Sequence, residues 1–145
     1  MSLHLATPPG VPRWLPAAML AVDFAFLAYW TITAAHVIPG SLLFANYNDV
    51  TMQTWNWSFL PLDVAASLTG IAAVVFLGAR PAAAMRLLPV SLTLTATAGG
   101  MAISFWTLQG WVDATWWLPN LALLAFGVAG LLSLARPGNE TEPIP

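Results

Sequence analysis

The chain reads as an all-α polytopic membrane protein, a four-helix transmembrane bundle with both termini on the cytoplasmic side. Three observations predict this. Of 145 residues, 59% are hydrophobic and 7% charged, against roughly 25% charged in soluble domains, so polar groups are too few to cover the outside of a water-soluble globule. Four apolar runs occupy residues 14–38, 56–78, 87–108 and 116–135, each reaching the roughly 20 residues that a helix needs to cross about 30 Å of hydrocarbon. The four arginines, Arg13, Arg80, Arg86 and Arg136, all flank run ends that an even number of crossings puts on one face. A Lys/Arg bias of this kind makes that face cytoplasmic.

The elements follow in order. Residues 1–13 hold three prolines and a glycine, and residues 137–145 three prolines and two glutamates; both are expected as disordered cytoplasmic tails. The first span starts at Trp14 and stops at Pro39-Gly40. It carries Asp23, exceeds a signal-peptide core in length and lacks a small-x-small cleavage site, so it is expected to be retained. Residues 39–55 form the outer loop. Trp55 and Trp57 mark the outer end of the second span, Pro61 is expected to kink it, and Arg80-Pro81 ends it. The third span is expected to begin after Arg86, with Pro89 in its first turn, and to leave the membrane near Trp106, Gln109 and Gly110. Trp116 and Trp117 open the fourth, with Pro119 in its first turn. Six of the eight tryptophans fall near the outer surface, as an aromatic belt would place them.

The polar residues inside the spans are the candidate functional groups. Asn56, Asp63, Ser67 and Gly70 follow spacings of 7, 4 and 3, which puts them on one helix face. Thr93, Thr97, Gly100, Ser104 and Thr107 follow spacings of 4, 3, 4 and 3 and form a second stripe, expected to face the bundle with Leu92, Ala96 and Ile103 nearer the lipid. Asp23 and Trp30 share a line on the first span, and Asn120 and Gly127 on the fourth; His36 falls off the Asp23 face. Small and hydroxyl residues also serve helix packing, but a carboxylate in a membrane helix costs roughly 2.5–3.5 kcal/mol and usually faces a cavity or a partner. At about 1.5 Å per residue, Asp23 lies about 13 Å above Trp14 and Asp63 about 9 Å below Trp57. The two depths allow a shared cavity.

These residues predict a cavity in the outer half of the bundle, lined by Trp30, Asn56, Asp63, Ser104 and Asn120, with Asp23 deeper. Its expected ligand is small and lipophilic with one polar group, because pockets of this kind are mostly apolar with a few placed polar atoms. Two alternatives stand beside it. One is an isomerase or cyclase on an isoprenoid-like substrate, with Asp23 and Asp63 as the catalytic acid and base. The other is an accessory subunit whose polar stripes pack against a membrane partner or a second copy.

Several chemistries are excluded by what the sequence lacks. There are no cysteines, hence no disulfide, thiolate catalysis or iron–sulfur cluster. A net charge of −2 without a basic run gives nucleic acid nothing to bind. His4 and His36 are the only histidines, too few for a metal set, and no phosphate-cradling glycine loop is present. No cofactor is expected; the partner expected throughout is the lipid bilayer.

The segment Asn46-Tyr47-Asn48-Asp49, followed by Trp55-Asn56-Trp57-Ser58-Phe59-Leu60-Pro61-Leu62-Asp63, resembles the YvaD-like family of small bacterial membrane proteins. Asp23, Tyr29-Trp30 and His36 in the first span are similar to it as well. The resemblance is strongest over residues 22–70. It implies four helices and a multi-pass protein of the bacterial plasma membrane, and carries over no catalytic residue. A looser analogy links Asp23 and Asp63 to the acidic residues that the emopamil-binding superfamily brings from its first two helices to a lipophilic cavity. The chain departs from that pattern by having no acidic or histidine partner deep in the third or fourth span, and fold alone does not fix function.

Overall fold

The computed structural model describes Pro8 and residues 10–39 and 46–136. Over these residues the chain is entirely helical between its turns: α1 (Leu15–Ala34), α2 (Val50–Trp57), α3 (Leu60–Ala79), α4 (Pro81–Leu108) and α5 (Ala114–Ala135). Four segments are long and apolar enough to cross a membrane: Leu15–Ala34, Val50–Ala79, Pro81–Leu108 and Ala114–Ala135. The expected tails beyond residues 8 and 136 lie outside the described residues. Val11 is buried against the core, so packing begins before Trp14, inside the segment expected to be a tail.

Several boundaries differ from the sequence reading, each for a local reason. The end of the expected outer loop is a helix, α2, capped by Asp49, whose Oδ1 accepts from Thr51 N at 2.7 Å and Met52 N at 3.2 Å. Pro61 does not kink a continuous helix. It stands in the first turn of α3, after a break at Ser58-Phe59, because proline has no N–H to give and its ring crowds the carbonyl four residues earlier. α4 starts at Pro81, not after Arg86, so Pro89 lies in its interior. Pro119 likewise lies inside α5 rather than in its first turn. Arg86 is exposed on α4 near the arginine-bearing end, where a long side chain reaches water from a helical position. A break in apolar composition is therefore not a break in the helix.

Helix ends carry two matching stop signals. After α1, His36 N–H donates to Thr33 O and Val37 N–H to Ile32 O, both at 3.1–3.2 Å, with His36 in the left-handed region at φ 52°. After α4 the same pair of bonds runs from Gly110 to Thr107 and from Trp111 to Trp106, with Gly110 at φ 71°. Both are Schellman caps, which normally take glycine at the left-handed position. α5 is capped at its start by Asp113, whose Oδ1 accepts from Thr115 N at 2.8 Å.

The helices pack as a row: α1 on α3, α3 on α4, and α4 on α5. The aliphatic core lies toward the arginines, where Leu15, Met19, Val74, Leu77, Leu88 and Leu92 meet. Helices α4 and α5 approach closely at Gly99, which faces the backbone of Asn120 and Leu124, and at Gly127, which faces the backbone of Leu92 and Ala96. The outer helices α1 and α5 touch through Trp14 and Phe126 near the arginines (6.3 Å between ring centroids) and through Tyr29 and Trp116 at the opposite end (6.3 Å). Between these two contacts they part around a cavity.

The stripe on the third span does not face the bundle. Thr93, Thr97, Ser104 and Thr107 are exposed, and the buried face of α4 carries Leu88, Ser91, Leu92, Thr95, Ala98, Gly99, Ala102 and Trp106. Three of the hydroxyls satisfy themselves within the helix: Thr97 donates to Thr93 O, Ser104 to Gly100 O and Thr107 to Ile103 O, at 2.7–2.8 Å. A hydroxyl bonded to its own helix in this way needs no partner on a neighbouring one. Leu92, expected near lipid, is fully buried.

Candidate ligand-binding site

The cavity has a volume of about 410 Å³ and lies in the half of the bundle away from the arginines, with walls from all five helices. It exists because the facing positions are small. Ala21 and Ala25 on α1, with Ala98 and Ala102 on α4, present single methyl groups where the other half of the bundle has leucines. Its aromatic walls are Phe26, Tyr29, Trp30, Trp55, Phe59, Trp106 and Trp116. These rings belong to a larger cluster: Trp55 stacks on Phe105 with centroids 3.9 Å apart and meets Trp106 edge-on at 5.3 Å, while Trp106 stacks on Trp111 at 5.6 Å. The tryptophans at this end are thus a packed assembly as well as a belt.

Polar atoms are few and placed. Trp30 Nε1 donates to Asp63 Oδ2 at 2.9 Å, joining α1 to α3. Asp63 is 5% exposed, and its Oδ1 is buried without a hydrogen-bond partner. One turn or two toward the α2 end, Tyr29 Oη donates to Asn56 Oδ1 at 3.1 Å. Asn120 Nδ2 donates to Trp116 O at 2.7 Å. Trp106 Nε1 is the other buried polar atom of the lining that has no partner. Among the described residues, no basic side chain lines the cavity, and no group of three or more His, Cys, Asp or Glu is placed to hold a metal.

Asp23 does not share this space. It is 1% exposed and sits behind the cavity between α1, α3 and α4, where Gly70 leaves room for its carboxyl: a methyl group at Gly70 would collide with Asp23 Oδ2 and Ser91 Oγ. Asp23 Oδ2 has no hydrogen-bond partner. The link between the two acids runs through the backbone. Ser67 Oγ donates to Asp63 O at 2.9 Å and to Asp23 O at 3.2 Å. An acid–base pair acting on one substrate requires both carboxyls at the cavity, and only Asp63 is there.

Of the residues that the sequence placed around the cavity, Trp30, Asn56, Asp63 and Asn120 line it, with Asp23 buried deeper. Ser104 does not; it points outward from α4, bonded to Gly100 O. Tyr29, Phe59, Trp106 and Trp116 line it without having been picked out as site residues. Trp106 was legible in principle, because it falls four and eight residues after Ala102 and Ala98 on one face. His36, left open by the sequence, holds the cap of α1.

The chain is 33% identical over 130 residues to the uncharacterized protein YvaD of Bacillus subtilis (strain 168), covering 90% of this chain and 98% of that one. No solved structure matches. Residues 15–140 match the family of unknown function DUF5360, which takes in all four membrane-spanning segments and the cavity. The chain belongs to the DUF5360 family.

Proposed function

We propose that this multi-pass membrane protein binds a small lipophilic molecule bearing one polar group in the cavity between α1 and α5. The observation that carries the reading is the combination of about 410 Å³ of largely apolar space with a buried, unpaired oxygen of Asp63 at its wall. Pockets for small ligands run from about 300 to 1,000 Å³ and pair apolar walls with a few placed polar groups. An unsatisfied buried polar atom costs roughly 1–3 kcal/mol, which a ligand donor offsets on binding. The gap between the two ring contacts of α1 and α5 gives such a molecule a way in from the bilayer. Ala25, exposed on the lipid side and part of the lining, marks that way.

The test is binding of a neutral, polarity-sensitive naphthalene dye to the purified protein in detergent. Ala25→Trp fills the opening without touching the core and is expected to lower dye binding at least tenfold. Leu121→Phe, on the exposed side of α5 and outside the lining, is expected to leave it unchanged. Equal dye binding in both variants would exclude the cavity as the binding site.

A further inference from the structure

We propose that the ligand is a lipophilic ammonium compound, its nitrogen held at Asp63 and its hydrocarbon part lying along the aliphatic end of the cavity; this rests on the cavity being a binding site at all. Three observations converge on that chemistry. The first is charge. Asp63 is buried and the one hydrogen bond to its carboxyl comes from a neutral indole, Trp30 Nε1 at 2.9 Å. The basic residues among those described are Arg13, Arg80, Arg86, Arg136 and His36, and none lines the cavity. A buried carboxylate without a countercharge is costly. A cationic ligand supplies the countercharge that the protein withholds.

The second is the wall around that oxygen. The rings of Trp30, Tyr29, Phe59 and Trp55 line the same cavity as Asp63. Trp30 is tied to Asp63 by its N–H edge, so one indole is fixed beside the carboxyl. Ring faces attract a cation more strongly when it is desolvated, and such cages are how quaternary ammonium groups are recognised. An anionic or phosphate-bearing molecule meets the opposite of what it needs here.

The third is the division of the lining. Phe26 packs on Ala66 and Ala98 below Asp63, with Val22 and Leu123 beside them, and Ala21 and Ala25 complete an end without polar side chains. That end takes a hydrocarbon tail, which fixes the molecule's direction: charged head toward α2, tail toward the bundle centre. The Trp106 N–H, at the aromatic end, suits an oxygen acceptor carried near the head.

A matched pair of probes tests this: benzoylcholine and its neutral isostere 3,3-dimethylbutyl benzoate, which replaces the quaternary nitrogen by carbon. Dissociation constants are read from tryptophan-fluorescence titration of the full chain in detergent, corrected for uptake by protein-free micelles. The expected result is at least roughly tenfold tighter binding of benzoylcholine, a preference that Asp63→Asn abolishes while leaving the neutral ester's affinity in place. Leu121→Phe, outside the lining, should retain the preference, and the comparison of the two esters on the unmodified protein keeps the inference open to refutation if the asparagine variant fails to fold. Equal affinity for the two esters in the unmodified protein, or a preference unchanged by Asp63→Asn, overturns the ammonium assignment and leaves the cavity reading standing. Failure of both esters to bind overturns both readings.

Discussion

Trp30 and Asp63, 33 residues apart in sequence, are joined by a 2.9 Å hydrogen bond between side chains that are both at least 95% buried. The bond joins α1 to α3 and holds one carboxyl oxygen, while the other is buried without a hydrogen-bond partner. Trp30→Phe retains most of the packing but strands the second oxygen, and is expected to destabilise the bundle by about 1–3 kcal/mol. Asp63→Asn keeps an acceptor and should cost less. Thermal unfolding of the two variants in one detergent checks the order; a Trp30→Phe protein as stable as the parent would remove the bond from the forces that orient α1.

Gly99 and Gly100 are neighbours with opposite surroundings. A methyl group at Gly99 would meet the backbone of Asn120 and Leu124, whereas at Gly100 it would meet only the end of the Leu124 side chain, at 3.6 Å. Gly99→Ala is expected to force α4 and α5 apart at a cost of about 1–3 kcal/mol. Gly100→Ala should be neutral or stabilising by up to about 1 kcal/mol, since alanine favours the helix. Unfolding midpoints of the pair decide it, and equal effects would mean that the register of α4 on α5 is different.

His36 occupies a position that favours glycine. Its φ of 52° lies in the left-handed region, which costs a residue with a Cβ roughly 1–2 kcal/mol. Part of that returns as greater chain entropy when glycine replaces it, so His36→Gly is expected to stabilise by about 0.5–1 kcal/mol. Ligand binding should not change, as His36 is exposed and outside the cavity lining. Thermal unfolding and dye titration on one preparation test both halves.

The two capping aspartates predict a specific acid response. Hydrogen bonds from Met52 N–H and Thr51 N–H hold the Asp49 carboxyl below its ordinary value of 3.8, and those from the Thr115 hydroxyl and N–H do the same for Asp113. A folded-state value below the unfolded one means that the stabilisation is complete above about pH 4–5. It is then lost as the pH falls through the lowered value. Asparagine caps nearly as well without titrating. Asp49→Asn with Asp113→Asn should therefore match the parent near neutrality and lose less stability than the parent below pH 3.8. Melting curves across that range, in both proteins, provide the measurement; parallel curves would mean that the caps do not titrate with folding.

Orientation is tested directly because the chain has no cysteine. With the arginines inward, a cysteine at Asn48 is expected to react with an impermeant thiol reagent on intact cells, and one at Ala82 only after lysis. Both positions are exposed. The reverse pattern would place the termini outside.

The spans and four residues of the cavity lining were readable from the sequence, and the misreadings have physical causes. Asparagine and aspartate inside a helix leave polar atoms that their own backbone does not satisfy, so Asn56 and Asp63 reported a real interior. Serine and threonine donate to the carbonyl four residues back, so Thr97, Ser104 and Thr107 could line up on the lipid side at little cost. In water a hydroxyl stripe carries directional information; in a bilayer it carries much less. The start of α4 was missed for a related reason, since Arg86 interrupts the apolar run but not the hydrogen-bonded backbone. Tyr29 and Trp116 were beyond reach, because the gap they bound depends on how α1 and α5 diverge, a relationship between helices far apart in the chain.

The row-like packing leaves α5 with two buried residues, Gly127 and Gly130, along 22 positions. Selection for packing can therefore act on very little of it. Across lineages its lipid-facing side chains are free to drift among apolar residues of many shapes, and homologues should be hardest to align there. Outside that glycine pair, constraint on α5 is expected at Trp116, Asn120 and Leu123, which wall the cavity and also touch neighbouring helices. A record of tolerated change along this one helix would thus map where its inner face ends and its lipid-facing side begins.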